Sequence, residues 1–182
     1  MREPRSSQRC FGVLVLSGLA LLCASPGVAL ERNKVTYAVR GQDTEYTAQH
    51  IIDVGDMPGH QIRIAEVRRT FPPDNPLEFD GVRVVEQYNR FISDFVNWSG
   101  HHWGYFVATM ENGDKIYGKG DGTNHSAVLP DGSIKGTYSG VFTYTGGTGR
   151  FRGMRGIGKY TGVYYPATGV NEATWEIEYW LE

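Results

Sequence analysis

TGGTGRFRGMRGIGKYTG, residues Thr145 to Gly162, places glycines at positions 146, 147, 149, 153, 156, 158 and 162 between two segments in which apolar and polar residues alternate. Glycine at that density serves a backbone that must bend, cross a neighbour closely or take positive φ, as at the corners of a small, strongly curved sheet. The segment therefore predicts a β-barrel.

Outward from it, period-two alternation recurs and helical periodicity does not, so the chain reads as successive strands joined by turns. Val35 to Arg40 and Glu45 to Asp53 form a first strand or pair, with Val54 to His60 as a loop and Gln61 to Phe71 as the next strand. The run Phe71-Pro72-Pro73-Asp74-Asn75-Pro76 cannot continue a central ladder, because its prolines lack amide donors and fix φ. A strand follows from Val82 to Phe91, extending toward Val96. Trp103 to Met110 and Lys115 to Lys119 flank Asn112-Gly113, a strong hairpin signal. Leu129-Pro130-Asp131-Gly132 turns the chain into Ile134 to Thr145, and Ile157 to Tyr165 and Glu172 to Leu181 complete the set. The expectation is an all-β, eight-stranded antiparallel closed barrel, a strand number at which the interior holds side chains or one small ligand. A two-sheet sandwich fits the same strand list.

The order Gly-Gly-Thr-Gly-x-Phe-x-Gly-x-x-Gly, from Gly146 to Gly156, resembles the signature loop of the allene oxide cyclase and dirigent group of calycin-type barrels. The likeness covers Ile134 to Leu181 well and the rest only through similar strand lengths. It implies a closed container, a phenylalanine tucked under the bend, and relatives that include isomerising cyclases, proteins that steer a reaction without catalysing it, and trimers. The barrel is favoured over the sandwich on this resemblance.

Arg2, Arg5 and Arg9 precede an apolar run from Phe11 to Ala24 and then Gly27-Val28-Ala29, the pattern of a cleaved secretory leader over residues 1 to 29. The run is too short to span a membrane, which takes about 20 apolar residues, and no other stretch approaches that length. Residues 30 to 182 are then one domain. Both cysteines, Cys10 and Cys23, leave with the leader, so export to a periplasmic or extracellular space would deliver a domain without thiol or disulfide. The leader also carries three of the 18 basic residues and one of the 20 acidic ones, leaving the remainder more acidic than the −2 of the whole chain. That balance argues against nucleic acid or an anionic membrane as partner. The basic cluster Arg150, Arg152, Arg155 and Lys159 reads as a solvated loop surface.

Alternation assigns faces. Tyr138, Gly140, Phe142 and Tyr144 share one side of their strand, as do Trp175, Ile177, Tyr179 and Leu181, and these aromatic faces should point inward. Tyrosine combines apolar area with a polar tip, which suits both a core and a ligand wall. The candidate ligand-binding residues are Tyr105, Tyr117, Tyr138, Phe142, Trp175 and Tyr179. Two carboxylates lie on faces that begin apolar: Glu66 after Ile62 and Ile64, and Glu86 after Val82 and Val84. On a cavity wall they would be candidate catalytic groups, acid, base or electrostatic anchor. On strands projecting past the rim they would be ordinary neighbours of Arg68 and Arg90. The pair His101-His102 reads as part of a surface loop, since adjacent residues on an extended chain point opposite ways and no spacing supports a metal site. No cofactor motif is present, neither a phosphate loop nor a serine nucleophile elbow.

Three functions fit this reading. The first is a secreted barrel binding a small apolar or aromatic molecule. The second is an isomerase or cyclase of the type the resemblance implies, with Glu66 or Glu86 biasing charge. The third is a filled, non-catalytic scaffold that meets a partner through its outer face, as a homo-oligomer such as the trimers among the relatives.

Overall fold

The computed structural model describes residues 31–182, and the expected leader lies outside the described residues. Ten strands form: β1 Asn33–Val39, β2 Thr44–Asp53, β3 His60–Thr70, β4 Glu78–Phe79, β5 Val82–Val96, β6 Ser99–Met110, β7 Lys115–Val128, β8 Ile134–Gly147, β9 Met154–Tyr165 and β10 Val170–Leu181. Among the described residues helix is confined to two short 3-10 turns, Gly41–Asp43 and Gly149–Phe151. All pairings are antiparallel, in the order β1-β10-β9-β8-β7-β6-β5-β3-β2, with β4 pairing β5.

This is the expected all-β class with two corrections. The strand count is ten rather than eight, because residues 33–53 divide at the Gly41–Asp43 corner and Glu78–Phe79 adds a short rung within the proline-rich segment. The hydrogen-bonded ladder is also open. Its two edges are β1 and β2, neighbours in sequence across the corner, each pairing on one side only. The sheet nevertheless rolls far enough for side chains of β2 and β10 to meet, Asn171 donating to the Tyr46 hydroxyl at 2.9 Å.

The inner face is glycine against ring. A Cβ added at Gly118 would fall on the Phe106 ring, and one at Gly158 would fall on Phe142. Small residues on one strand thus seat the aromatics of the next, and the sheet can curve tightly without strain. One end of the roll is filled. There the proline-rich segment folds inward, placing Phe79 at 1% exposure and edge-on to Tyr144 and Tyr179, with centroids 5.5 and 5.0 Å away. Leu77 accepts a backbone hydrogen bond from Val84 at 2.8 Å and is buried beside it. Phe151, from the glycine-rich loop, is wholly buried in the same cluster.

Three register shifts decide which side chains face in. The one in β5, between Val84 and Glu86, inserts Val85 as an extra residue. A bulge of this kind reverses the alternation beyond it. Val82 and Val84 are buried, and after the bulge Gln87, Ser93 and Phe95 are buried instead.

Candidate functional site

Opposite the filled end, the roll encloses a cavity of about 250 Å³. Its aromatic wall comes from the period-two faces of three neighbouring strands: Tyr138, Phe142 and Tyr144 of β8, Tyr160 and Tyr164 of β9, and Trp175 of β10. Tyr138 and Tyr160 lie 6.0 Å apart, and the Phe142 ring stacks on Tyr160 at 6.3 Å. At the mouth, the β5–β6 turn contributes Trp98 and the β9–β10 turn contributes Pro166 and Gly169.

Asn171 is the polar centre. Its Oδ1 accepts from the Tyr138 hydroxyl at 2.6 Å and from Arg69 Nη2 at 3.3 Å, while its Nδ2 donates to Tyr46. Every atom of that amide able to bond is therefore engaged, which is what a buried amide requires. Across the cavity, His102 Nε2 and the Tyr160 hydroxyl are 2.7 Å apart, and His102 Nδ1 is buried with no partner among the described residues. Burial pushes the imidazole down to about 4, so it is neutral near pH 7. Burial pushes the Tyr138 phenol up to about 12 and raises that of Tyr160 further, so both keep their protons.

Two arginines of β3 face the same space, Arg63 at 8% exposure and Arg69 at 9%. The Arg63 guanidinium lies over the Trp98 ring at 4.3 Å, and that of Arg69 is 5.5 Å from Trp175. The Nε of each is buried and has no hydrogen-bond partner among the described residues. Burial lowers the Arg63 pKa, yet a guanidinium begins so high that it stays charged. Trp98 itself sits in a two-residue turn with Asn97, at φ 67° and 47° respectively. Positive φ at both positions is the requirement of a tight hairpin that asparagine followed by glycine meets best. Here a tryptophan bears it, which brings the indole to Arg63.

The sequence-predicted residues divide. Tyr138, Phe142 and Trp175 line the cavity. Tyr105 borders it on β6, but its strand position turns the side chain out and it is 71% exposed. Tyr117 is outside the lining, on the face of β7 opposite Ile116 and Gly118, both buried. Tyr179 belongs to the filled end, where its hydroxyl accepts from the Asp80 amide at 3.0 Å.

Glu66 and Glu86 are on the outer face, half-buried, with Glu66 bound to Arg90 at 2.7 Å and Glu86 to Arg68 at 3.1 Å. The inward face of β3 is Arg63, Ala65, Val67 and Arg69, so Ile64 is exposed and Glu66 points away. In β5 the Val85 bulge turns Glu86 out although Val84 points in.

Sequence reading missed Arg63, Arg69, His102, Tyr160, Tyr164 and Asn171. His102 is no loop residue: β6 begins at Ser99 and its inward alternation runs His102, Gly104, Phe106. Asn171 extends the Ala173 and Trp175 face by one step. Those signals were in the alternation; the inward arginines were on the face that looks more polar. Among the described residues no three histidine, cysteine or acidic side chains converge as a metal site, and no helix is long and apolar enough to cross a membrane.

No protein-family model matches the chain, and no curated protein matches it. Solved structures to which it is similar include a pyocyanin demethylase, with 18% identity over 79% of this chain and 99% of that one, at a TM-score of 0.40. They also include a pterocarpan synthase dirigent protein, with 15% identity over 86% of this chain and 94% of that one, at a TM-score of 0.46. At such scores neither likeness bears on what the cavity holds.

Proposed function

We propose that the chain is an exported β-barrel that binds one small, largely aromatic molecule in its open end. The roll acts as a closed container although its ladder is open, because Asn171 of β10 bonds Tyr46 of β2 and Arg69 of β3 across the seam. The observation that carries the reading is the cavity of about 250 Å³ walled by aromatics of β8, β9 and β10. A space of that kind with a few convergent polar groups suits a small ligand better than it suits a filled core. The leader over residues 1 to 29 supports export into a periplasmic or extracellular space. Native mass spectrometry of protein taken from its source tests the proposal. A retained small molecule lost on substituting Trp175→Ala supports it, and a bare polypeptide mass with no ligand uptake overturns it. The same spectrum reads the subunit count.

A catalytic reading is favoured by one arrangement, the His102–Tyr160 hydrogen bond inside the cavity. A neutral imidazole beside a phenol can take a proton from one atom of a bound molecule and return it to another, which is the balance of an isomerisation. Incubating the recovered ligand with protein in deuterated water tests this. Deuterium incorporated by the parent and absent with His102→Gln, at unchanged binding, supports catalysis; no incorporation leaves a carrier.

A further inference from the structure

We infer that the molecule held in this cavity is an anion, an aromatic or apolar acid whose carboxylate or equivalent group is gripped by Arg63 with Arg69 deeper in the same space. The inference rests on the binding reading above.

Among the described residues the cavity wall contains two guanidinium groups and no aspartate or glutamate. Neither arginine forms an ion pair with any described residue. The contrast lies within the same strands. Arg68, facing out from β3, reaches Glu86, and Arg90, facing out from β5, reaches Glu66, where water would have served. The two inward arginines, where water serves least, have no carboxylate. A buried charge without a counter-charge is costly, and a ligand acid group is the partner that removes the cost.

The arginines are also set for it. An indole against each guanidinium stabilises the cation and holds it near one plane. Both side chains line the cavity, and a guanidinium there offers a carboxylate the two parallel hydrogen bonds of its fork. Arg69 has spent Nη2 on Asn171, whereas Arg63 makes no hydrogen bond to any described residue, so Arg63 is the principal anchor. Because Arg63 stands beside Trp98 at the mouth, the acid group lies outward and the apolar body points toward Phe142 and Trp175.

Two fluorescent probes share a ring system and differ in charge: anilinonaphthalene sulfonate and the uncharged phenylnaphthylamine. Titrated into the folded domain, the sulfonate is expected to bind at least about tenfold tighter than the neutral probe. Arg63→Gln should abolish that preference and leave neutral-probe affinity within about twofold, since the apolar wall is untouched, and Arg63→Lys should restore only part of it. The ratio in the parent protein needs no variant, so a misfolded substitution does not decide the matter. Equal affinities for the two probes in the parent overturn the anion inference while the binding proposal stands. Failure of both probes to bind overturns the binding proposal, and the inference with it.

Discussion

Trp98 occupies a backbone position that favours glycine, and its ring covers Arg63. A left-handed non-glycine residue costs about 1–2 kcal/mol, and such outliers gather where function holds them. Trp98→Gly makes Asn-Gly, the preferred pair for this turn. The expected outcome is an unfolding free energy within about 1 kcal/mol of the parent, as relieved backbone strain offsets lost ring contacts. Probe affinity should nevertheless fall, and denaturant unfolding beside fluorescence titration separates the two effects.

His102 supplies a second prediction at this scale. Its imidazole takes up a proton near its ordinary value of 6.5 when unfolded but only near 4 when folded. Between those values the unfolded chain binds more protons, so stability falls as pH drops through that window, by up to about 3 kcal/mol. His60 acts elsewhere. Asp94 and Asp56 raise its pKa, so its contribution is complete below 6.5 and fades as pH rises through the raised value. His102→Gln should flatten the acid limb of stability against pH without altering the limb above 6.5. An imidazole NMR signal of His102 that titrates near 6.5 would contradict this.

At the scale of the element, the bulge in β5 does the sorting. Val85 is the extra residue that lets Val84 pack into the filled end while Gln87, Asn89 and Phe91 turn to the cavity. Deleting Val85 would restore regular alternation, with Val84 and Gln87 still inward and Glu86 outward between them, because the bulge holds one residue more than the partner strand. The expected result is retained cooperative thermal unfolding, measured by circular dichroism. Loss of cooperativity would show that the local twist of the bulge, beyond the facing of the side chains, holds the strand. The alternation of Val82, Val84 and Glu86 looked regular in the sequence because an inserted residue leaves no mark in composition.

Over the whole molecule, the seam between β2 and β10 depends on one amide. Asn171→Ala would strand the Tyr46 hydroxyl and remove the bonds from Tyr138 and Arg69, Tyr138 keeping the Glu172 carbonyl at 3.0 Å, at a cost of about 1–3 kcal/mol for the groups left unpaired. Hydrogen exchange should then show β2 amides losing protection first, because β2 is a ladder edge held on its other side by side chains alone. Equal loss of protection in all strands would assign Asn171 a general packing role.

Much was legible before the fold was seen. The all-β class, the positions of the main strands and the inward aromatic faces of β8 and β10 follow from alternation, which is a local property of extended backbone. Alternation names two faces of a strand but not which is concave, and it is reset by any bulge. Which face of β3 turned inward, which end of the roll was filled by the proline-rich segment, and the meeting of Arg69 with Asn171 across 102 residues were settled only when the sheet curled. Curvature arises from the summed packing of rings on glycines over all the strands, so no single segment carries it.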